Sequence, residues 1–131
     1  MNIHCDGRPR LAAEHYSYTP LVNQRGREVM IHLEAAPHPW DIGMGYTVLD
    51  GWSYNGTVPG PVIEARQGDT LVVRLTNNLA EPTTIHWHGL RLPAPMDGTQ
   101  DVQQVVEPGE QFEYRFALPD AGTFWYHPHT N

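Results

Sequence analysis

Short stretches of alternating apolar and polar residues, closed by turns rich in Gly, Pro and Asn, run through most of this chain. Residues 27–35 place Val29, Ile31 and Leu33 on one face and Met30, His32 and Glu34 on the other, the period of two of a half-buried strand. His32 is therefore predicted to point outward. After the breakers Pro37, Pro39, Gly43 and Gly45, residues 46–54 read as a strand interrupted at Gly51 and ended by Asn55-Gly56, a hairpin-turn signal. Pro59-Gly60-Pro61 makes a rigid corner. Residues 62–66 and 70–75 flank the turn Gln67-Gly68-Asp69, and Asn77-Asn78 closes the second of them. Further strands are predicted at 83–88, 104–106, 111–118 and 123–127, with turns at Pro108-Gly109-Glu110 and at residues 119–122. No segment carries a sustained helical period, and there is no internal repeat or low-complexity run. About eight short strands with turns at regular spacing predict an all-β sandwich or barrel.

That strand pattern gives meaning to two histidine pairs, His86-Trp87-His88 and His127-Pro128-His129. In an extended strand, residues i and i+2 share a face, so each pair presents both imidazoles on one side. A lone His-x-His is weak evidence in a chain with eight histidines. Two such pairs, each ending a strand-like run, imply a shared site. Imidazole suits copper, zinc, iron and nickel, whereas magnesium and calcium prefer oxygen, so the site is predicted to hold a transition metal. Trp87 has the opposite phase to its flanking histidines and is predicted to enter the core. The irregular segment 89–98 follows the first pair directly, where a loop beside a rigid site often carries function.

The chain has 131 residues, enough for one domain with a sizeable core. Fifteen acidic residues against eight Lys plus Arg give a formal charge of −7, which argues against a nucleic-acid footprint. No run of about 18 apolar residues exists to span a membrane, and residues 1–20 lack the apolar core of a secretory signal. The expectation is a soluble chain with its compartment left open. The single cysteine, Cys5, excludes an internal disulfide. Residues 1–26 show no period and read as an N-terminal arm. His4, Cys5 and His15 within it have the chemistry of ligands but no strand context to unite them.

The ordered runs Asn55-Gly56-Thr57-Val58-Pro59-Gly60-Pro61, Gly68-Asp69-Thr70, Asn77 with Leu79, Thr84-Ile85-His86-Trp87-His88-Gly89, Pro108-Gly109 and Gly122-Thr123-Phe124-Trp125-Tyr126-His127-Pro128-His129 resemble the N-terminal cupredoxin domain of a laccase-type multicopper oxidase. The resemblance covers residues 27–131. It implies a cupredoxin-like Greek-key β-sandwich lacking its final strand, and an oxidoreductase that oxidises phenols, amines or metal ions while reducing dioxygen to water. It implies that His86 binds the type 2 copper and that His88, His127 and His129 bind the type 3 pair, the remaining ligands coming from other cupredoxin domains. Asp97 matches an acid that helps deliver protons to oxygen in bacterial members. Its other reading is a turn residue before Gly98.

The chain departs from the family pattern in ending after the second histidine pair, which implies half of a trinuclear ligand set. A blue copper centre needs two histidines and a cysteine thiolate, and Cys5 lacks that context, so no type 1 copper is expected here. The isolated chain is predicted to be inactive, to partner the remaining domains of an oxidase, and to expose an open sheet edge prone to self-association. The alternative is a stand-alone copper- or zinc-binding module without redox turnover, for which four histidines would suffice.

Overall fold

A computed structural model describes residues 26–130 and, as backbone only, residues 3–6. Among the described residues ten strands run in chain order: β1 (Ile3–Asp6), β2 (Glu28–Pro37), β3 (Trp40–Gly43), β4 (Tyr46–Val48), β5 (Trp52–Tyr54), β6 (Ile63–Arg66), β7 (Thr70–Asn77), β8 (His86–His88), β9 (Gln111–Ala117) and β10 (Gly122–His127). The helical content among the described residues is one 3-10 turn, Ala94–Met96, and no helix is long and apolar enough to cross a membrane. One sheet has the order β6-β1-β10-β8 and the other β5-β2-β7-β9, while β3 and β4 form a separate hairpin.

The two large sheets close on a core that follows from the alternation. Leu33, Leu71, Val73 and Leu75 come from β2 and β7, Tyr114 and Phe116 from β9, and Ile63, Ile85, Trp87 and Tyr126 from the other sheet or its approach, all of them buried. His32 is exposed, as its phase predicts. Val72 is buried although its phase is opposite to that of Leu71 and Val73; in the central strand of its sheet it stands between Met30 of β2 and Arg115 of β9, cross-strand neighbours on its own face. Trp87 wedges between Tyr114, Phe116 and Tyr126, with ring centroids 5.3, 5.3 and 5.7 Å away.

Polar residues fix the corners. Asp69, buried in the β6–β7 turn, accepts hydrogen bonds from the backbone N–H groups of Arg27 (3.1 Å) and Arg66 (2.9 Å) and from Arg27 Nε (3.1 Å). Burial pushes this carboxyl up, but those bonds and the Arg27 charge outweigh it and hold the group below its ordinary value. The Asn55-Gly56 turn has positive φ at both residues (55° and 70°), the geometry of a type I′ hairpin turn, which favours Asn-Gly. Fully buried Asn77 donates to the carbonyls of Glu81 and Val106 and accepts from Leu79 N–H. It thereby shapes the segment leading into β8.

Three sequence expectations are modified. Residues 46–54 form two strands rather than one, since the chain leaves the sheet between Val48 and Trp52 and β4 pairs with β3. Residues 104–106 contribute only an isolated bridge, Thr83 to Val106. Within the expected arm, Ile3–Asp6 is a strand that pairs in parallel with β6 and antiparallel with β10. Four residues are too few to show a period, and backbone pairing on both sides is what defines this strand. The sheet edge beside β10 is covered there rather than open. The side chains of His4 and Cys5, and all of His15, lie outside the described residues.

Candidate metal centre

The geometry of the site is set by the β8–β10 ladder. His86 pairs with His127, Trp87 with Tyr126 and His88 with Trp125. Directly opposed residues in an antiparallel pair share a face, so His86, His88 and His127 project together while Trp87 and Tyr126 enter the core. One ring nitrogen from each of these three histidines lies within 4.8 Å of the others. The ring centroids of the triad are separated by 5.4 to 5.6 Å. His129 lies beyond the end of β10, past Pro128; its ring is 5.2 Å from His86 and 6.3 Å from His127. It borders the triad without joining it, because it is outside the ladder that aligns the others.

Hydrogen bonds to backbone carbonyls orient the His86 and His127 rings. His86 Nδ1 donates to the backbone carbonyl of Asp97 (2.8 Å), with the Asp97 carboxylate 3.3 Å away. A carbonyl only accepts, so Nδ1 carries the proton and Nε2 is left as the donor to a metal. His127 Nδ1 likewise donates to the Pro128 carbonyl (2.8 Å), which turns its Nε2 toward His88 Nδ1 at 3.3 Å. Desolvation holds the His127 pKa below its ordinary value, with repulsion from His86, His88 and His129 acting the same way against the opposing Pro128 bond. Two imidazole nitrogens on one tetrahedral metal at about 2.0–2.1 Å would lie about 3.3–3.4 Å apart, so the His88–His127 spacing suits a shared ion.

Asp97, singled out from the sequence, does contact His86, and it also closes the 3-10 turn through its N–H to the Ala94 carbonyl (3.0 Å). The turn position read from the sequence is thus found, with the carboxylate beside His86. Gly98 beside it has φ +85°, and a Cβ there would sit 2.0 Å from the Ile85 carbonyl oxygen. Glycine is required for the loop to approach β8 so closely.

Several residues of the site have no signal in the sequence. Trp125 stacks on the rings of both His88 (4.5 Å) and His127 (4.2 Å); its i−2 relation to His127 is the only hint. Buried Gln103 accepts from Gly98 N–H (2.9 Å) and donates to Tyr114 Oη (2.9 Å), which also accepts from Ile85 N–H (2.8 Å). This chain of bonds ties the Asp97 loop to the strand that carries His86. Thr130 donates to the Pro82 carbonyl (3.2 Å) and anchors the segment after the second pair.

Residues 40–131 match the family model described as multicopper oxidase. The chain is 45% identical over 104 residues, 79% of its length, to "Multicopper oxidase MmcO" of Mycobacterium tuberculosis, covering 20% of that protein. It is 38% identical over 129 residues, 95% of its length, to "Laccase-2" of Botryotinia fuckeliana, covering 21% of it. Among solved structures, a multi-copper oxidase from Pseudomonas thermotolerans superimposes with a TM-score of 0.74 at 50% identity, over 78% of this chain and 25% of that one. The chain belongs to the multicopper oxidase family, and its sandwich is the cupredoxin-like fold of those structures. It spans about a fifth of the length of the curated relatives it matches.

Proposed function

We propose that this chain supplies His86, His88, His127 and His129 to a trinuclear copper centre of a laccase-like oxidase, with other cupredoxin domains supplying the remaining ligands. The observation that carries the reading is the β8–β10 register, which pairs His86 with His127 and brings three imidazoles together. Copper bound there supplies the redox chemistry by which dioxygen is reduced to water. His88 and His127, with facing nitrogens 3.3 Å apart, would hold the type 3 pair together with His129, and His86 would hold the type 2 ion through Nε2. Trp125 limits the motion of the His88 and His127 rings by stacking, so that the ligands are held in place before metal arrives.

Asp97 has two tasks in this reading. Its carbonyl fixes the His86 tautomer, and its partly exposed carboxylate passes protons from solvent toward the face where oxygen is reduced. The electrons come from phenols, amines or metal ions oxidised at a site outside this chain, because a blue copper centre needs a cysteine thiolate beside two histidines and Cys5 is the only cysteine here. The 131-residue chain alone therefore binds copper but does not turn over substrate.

The test is copper loading of the purified chain followed by metal analysis and EPR, beside a His127→Ala/His129→Ala double variant. At least one equivalent of copper, lost in the variant, is expected. Binding of zinc with equal retention and no copper-specific signal would favour the stand-alone binding module. No specific metal binding would overturn the assignment.

A further inference from the structure

Asp97 stands between two anchors on one strand. On its C-terminal side, Gly98 N–H donates to the Gln103 amide oxygen (2.9 Å), and the Gln103 amide donates to the Tyr114 hydroxyl (2.9 Å), all buried. On its N-terminal side, Met96 Sδ accepts the backbone N–H of Arg115 at 3.4 Å. Tyr114 and Arg115 are neighbours on β9, the edge strand of its sheet, and the sulfur satisfies a backbone donor there. The inner anchor is made by an amide and a phenol inside the core. The outer one depends on a thioether, which is a weak acceptor and can be oxidised.

The chain has four methionines, and their surroundings differ. Met30 and Met44 are 65% and 98% exposed, so a polar atom added to either stays in water. Met96 is only partly buried but packs against the hydrophobic core. Solvent reaches it, and it has both packing and a hydrogen bond to lose. Met1 lies outside the described residues.

We propose that Met96 is a peroxide-sensitive modification site that governs the hold of Asp97 on His86. A lone pair of Sδ takes one oxygen of hydrogen peroxide: the S–O bond forms, the O–O bond breaks, and the other oxygen leaves as water, so the thioether is oxidised to the sulfoxide and the peroxide is reduced. Hydrogen bonding then passes through the sulfoxide oxygen, a far better acceptor than sulfur, which pushes the sulfur away from β9, while the polar group withdraws from the core toward water. The 3-10 turn Ala94–Met96 moves with it. Asp97, the next residue, leaves the position in which its carbonyl accepts the His86 Nδ1 proton at 2.8 Å. The consequence for copper rests on the reading of His86 as a ligand; the oxidation and the change at His86 do not.

The metal-free full chain is treated with graded hydrogen peroxide, the sulfoxides are located by peptide mass mapping, and the His86 ring is followed by long-range proton–nitrogen correlations. The Nδ1-protonated form of His86 is expected to decline in proportion to Met96 sulfoxide and not to that of Met30 or Met44. Copper affinity should fall about 2- to 10-fold, the worth of one hydrogen bond, and return when methionine sulfoxide reductases of both epimer specificities restore the thioether. Met96→Leu keeps the bulk of the side chain and cannot be oxidised; it retains Cys5, Met30 and Met44, so a response arising from those persists in it. Its His86 signature and copper affinity should not change with peroxide. Met96 left unoxidised after Met30 and Met44 have been converted, a His86 ring indifferent to Met96 sulfoxide, or an equal response in Met96→Leu would overturn the proposal. Failure of the untreated chain to bind copper would overturn the metal reading alone, because the oxidation and the His86 response are read without metal.

Discussion

Replacing Tyr114 by Phe removes one oxygen atom and tests whether the buried polar chain behind His86 holds the candidate site. Tyr114 is fully buried, and its Oη receives the Ile85 N–H at 2.8 Å and the Gln103 amide at 2.9 Å. Burial also pushes the phenol pKa up, so the group stays protonated across the working range. In Tyr114→Phe the ring still packs on Trp87 and Phe112, and no cavity forms. What changes is hydrogen bonding: Ile85, also 0% exposed, keeps a buried N–H with no acceptor, and Gln103 loses a partner. An orphaned buried donor costs about 1–3 kcal/mol, and the two together predict a loss of about 2–4 kcal/mol. For a domain of this size that lowers Tm by roughly 6–16 °C. Because Gln103 also receives Gly98 N–H, the loop presenting Asp97 to His86 loosens, and copper affinity falls although residue 114 touches no ligand. Chemical denaturation followed by circular dichroism measures the first effect and copper titration the second. Adding Gln103→Leu to Tyr114→Phe should cost less than the sum of the single changes, since both break one chain. A Tyr114→Phe protein within about 0.5 kcal/mol of the parent, the range of an ordinary surface change, would refute the reasoning.

Gly98→Ala forces a side chain into a position with φ +85° and a 2.0 Å approach to the Ile85 oxygen; the expected result is a loss of more than about 1 kcal/mol together with weakened copper binding, and undiminished binding would count against the loop's role. Asp69 is held below its ordinary pKa, so its contribution is complete above the unfolded value of about 3.9 and fades as pH falls through the folded value. The stability gap between the parent and Asp69→Asn in urea should therefore be widest at neutral pH and shrink below about pH 4; a gap constant from neutral to strongly acidic pH would contradict this. Deleting residues 1–6 removes β1 and leaves β6 and β10 with unpaired edges, which should produce concentration-dependent association in sedimentation velocity. A deletion variant that stays monomeric at high concentration would show that these edges are protected by other means.

The parts of the site that were legible in the sequence are those governed by periodicity. The i, i+2 spacing placed His86 and His88 on one face and Trp87 on the other, and both orientations are found. Asn55-Gly56 and Gln67-Gly68-Asp69 announced turns because positive φ demands particular residues. Register is another matter: that His86 stands opposite His127 depends on how β8 and β10 slide past each other, which no local pattern states. Gln103 and Tyr114 were invisible for a similar reason, being joined through space by single hydrogen bonds from a loop and a strand. Trp125 drew no separate reading from the sequence, yet it is 45% exposed and packs on two imidazoles. Strand β1 eluded the pattern because its identity rests on two neighbouring strands and not on its own residues.

The central claim is that specific imidazole nitrogens converge on one metal-binding face. Its most direct test is a copper(I) titration followed by long-range proton–nitrogen correlations of the histidine rings, which report each nitrogen separately. The account predicts that His86 Nε2, His88 Nδ1 and His127 Nε2 move first and together, with the His86 and His127 tautomers fixed as the Asp97 and Pro128 hydrogen bonds require. Responses confined to His32 or His38, with the triad unchanged, would contradict it.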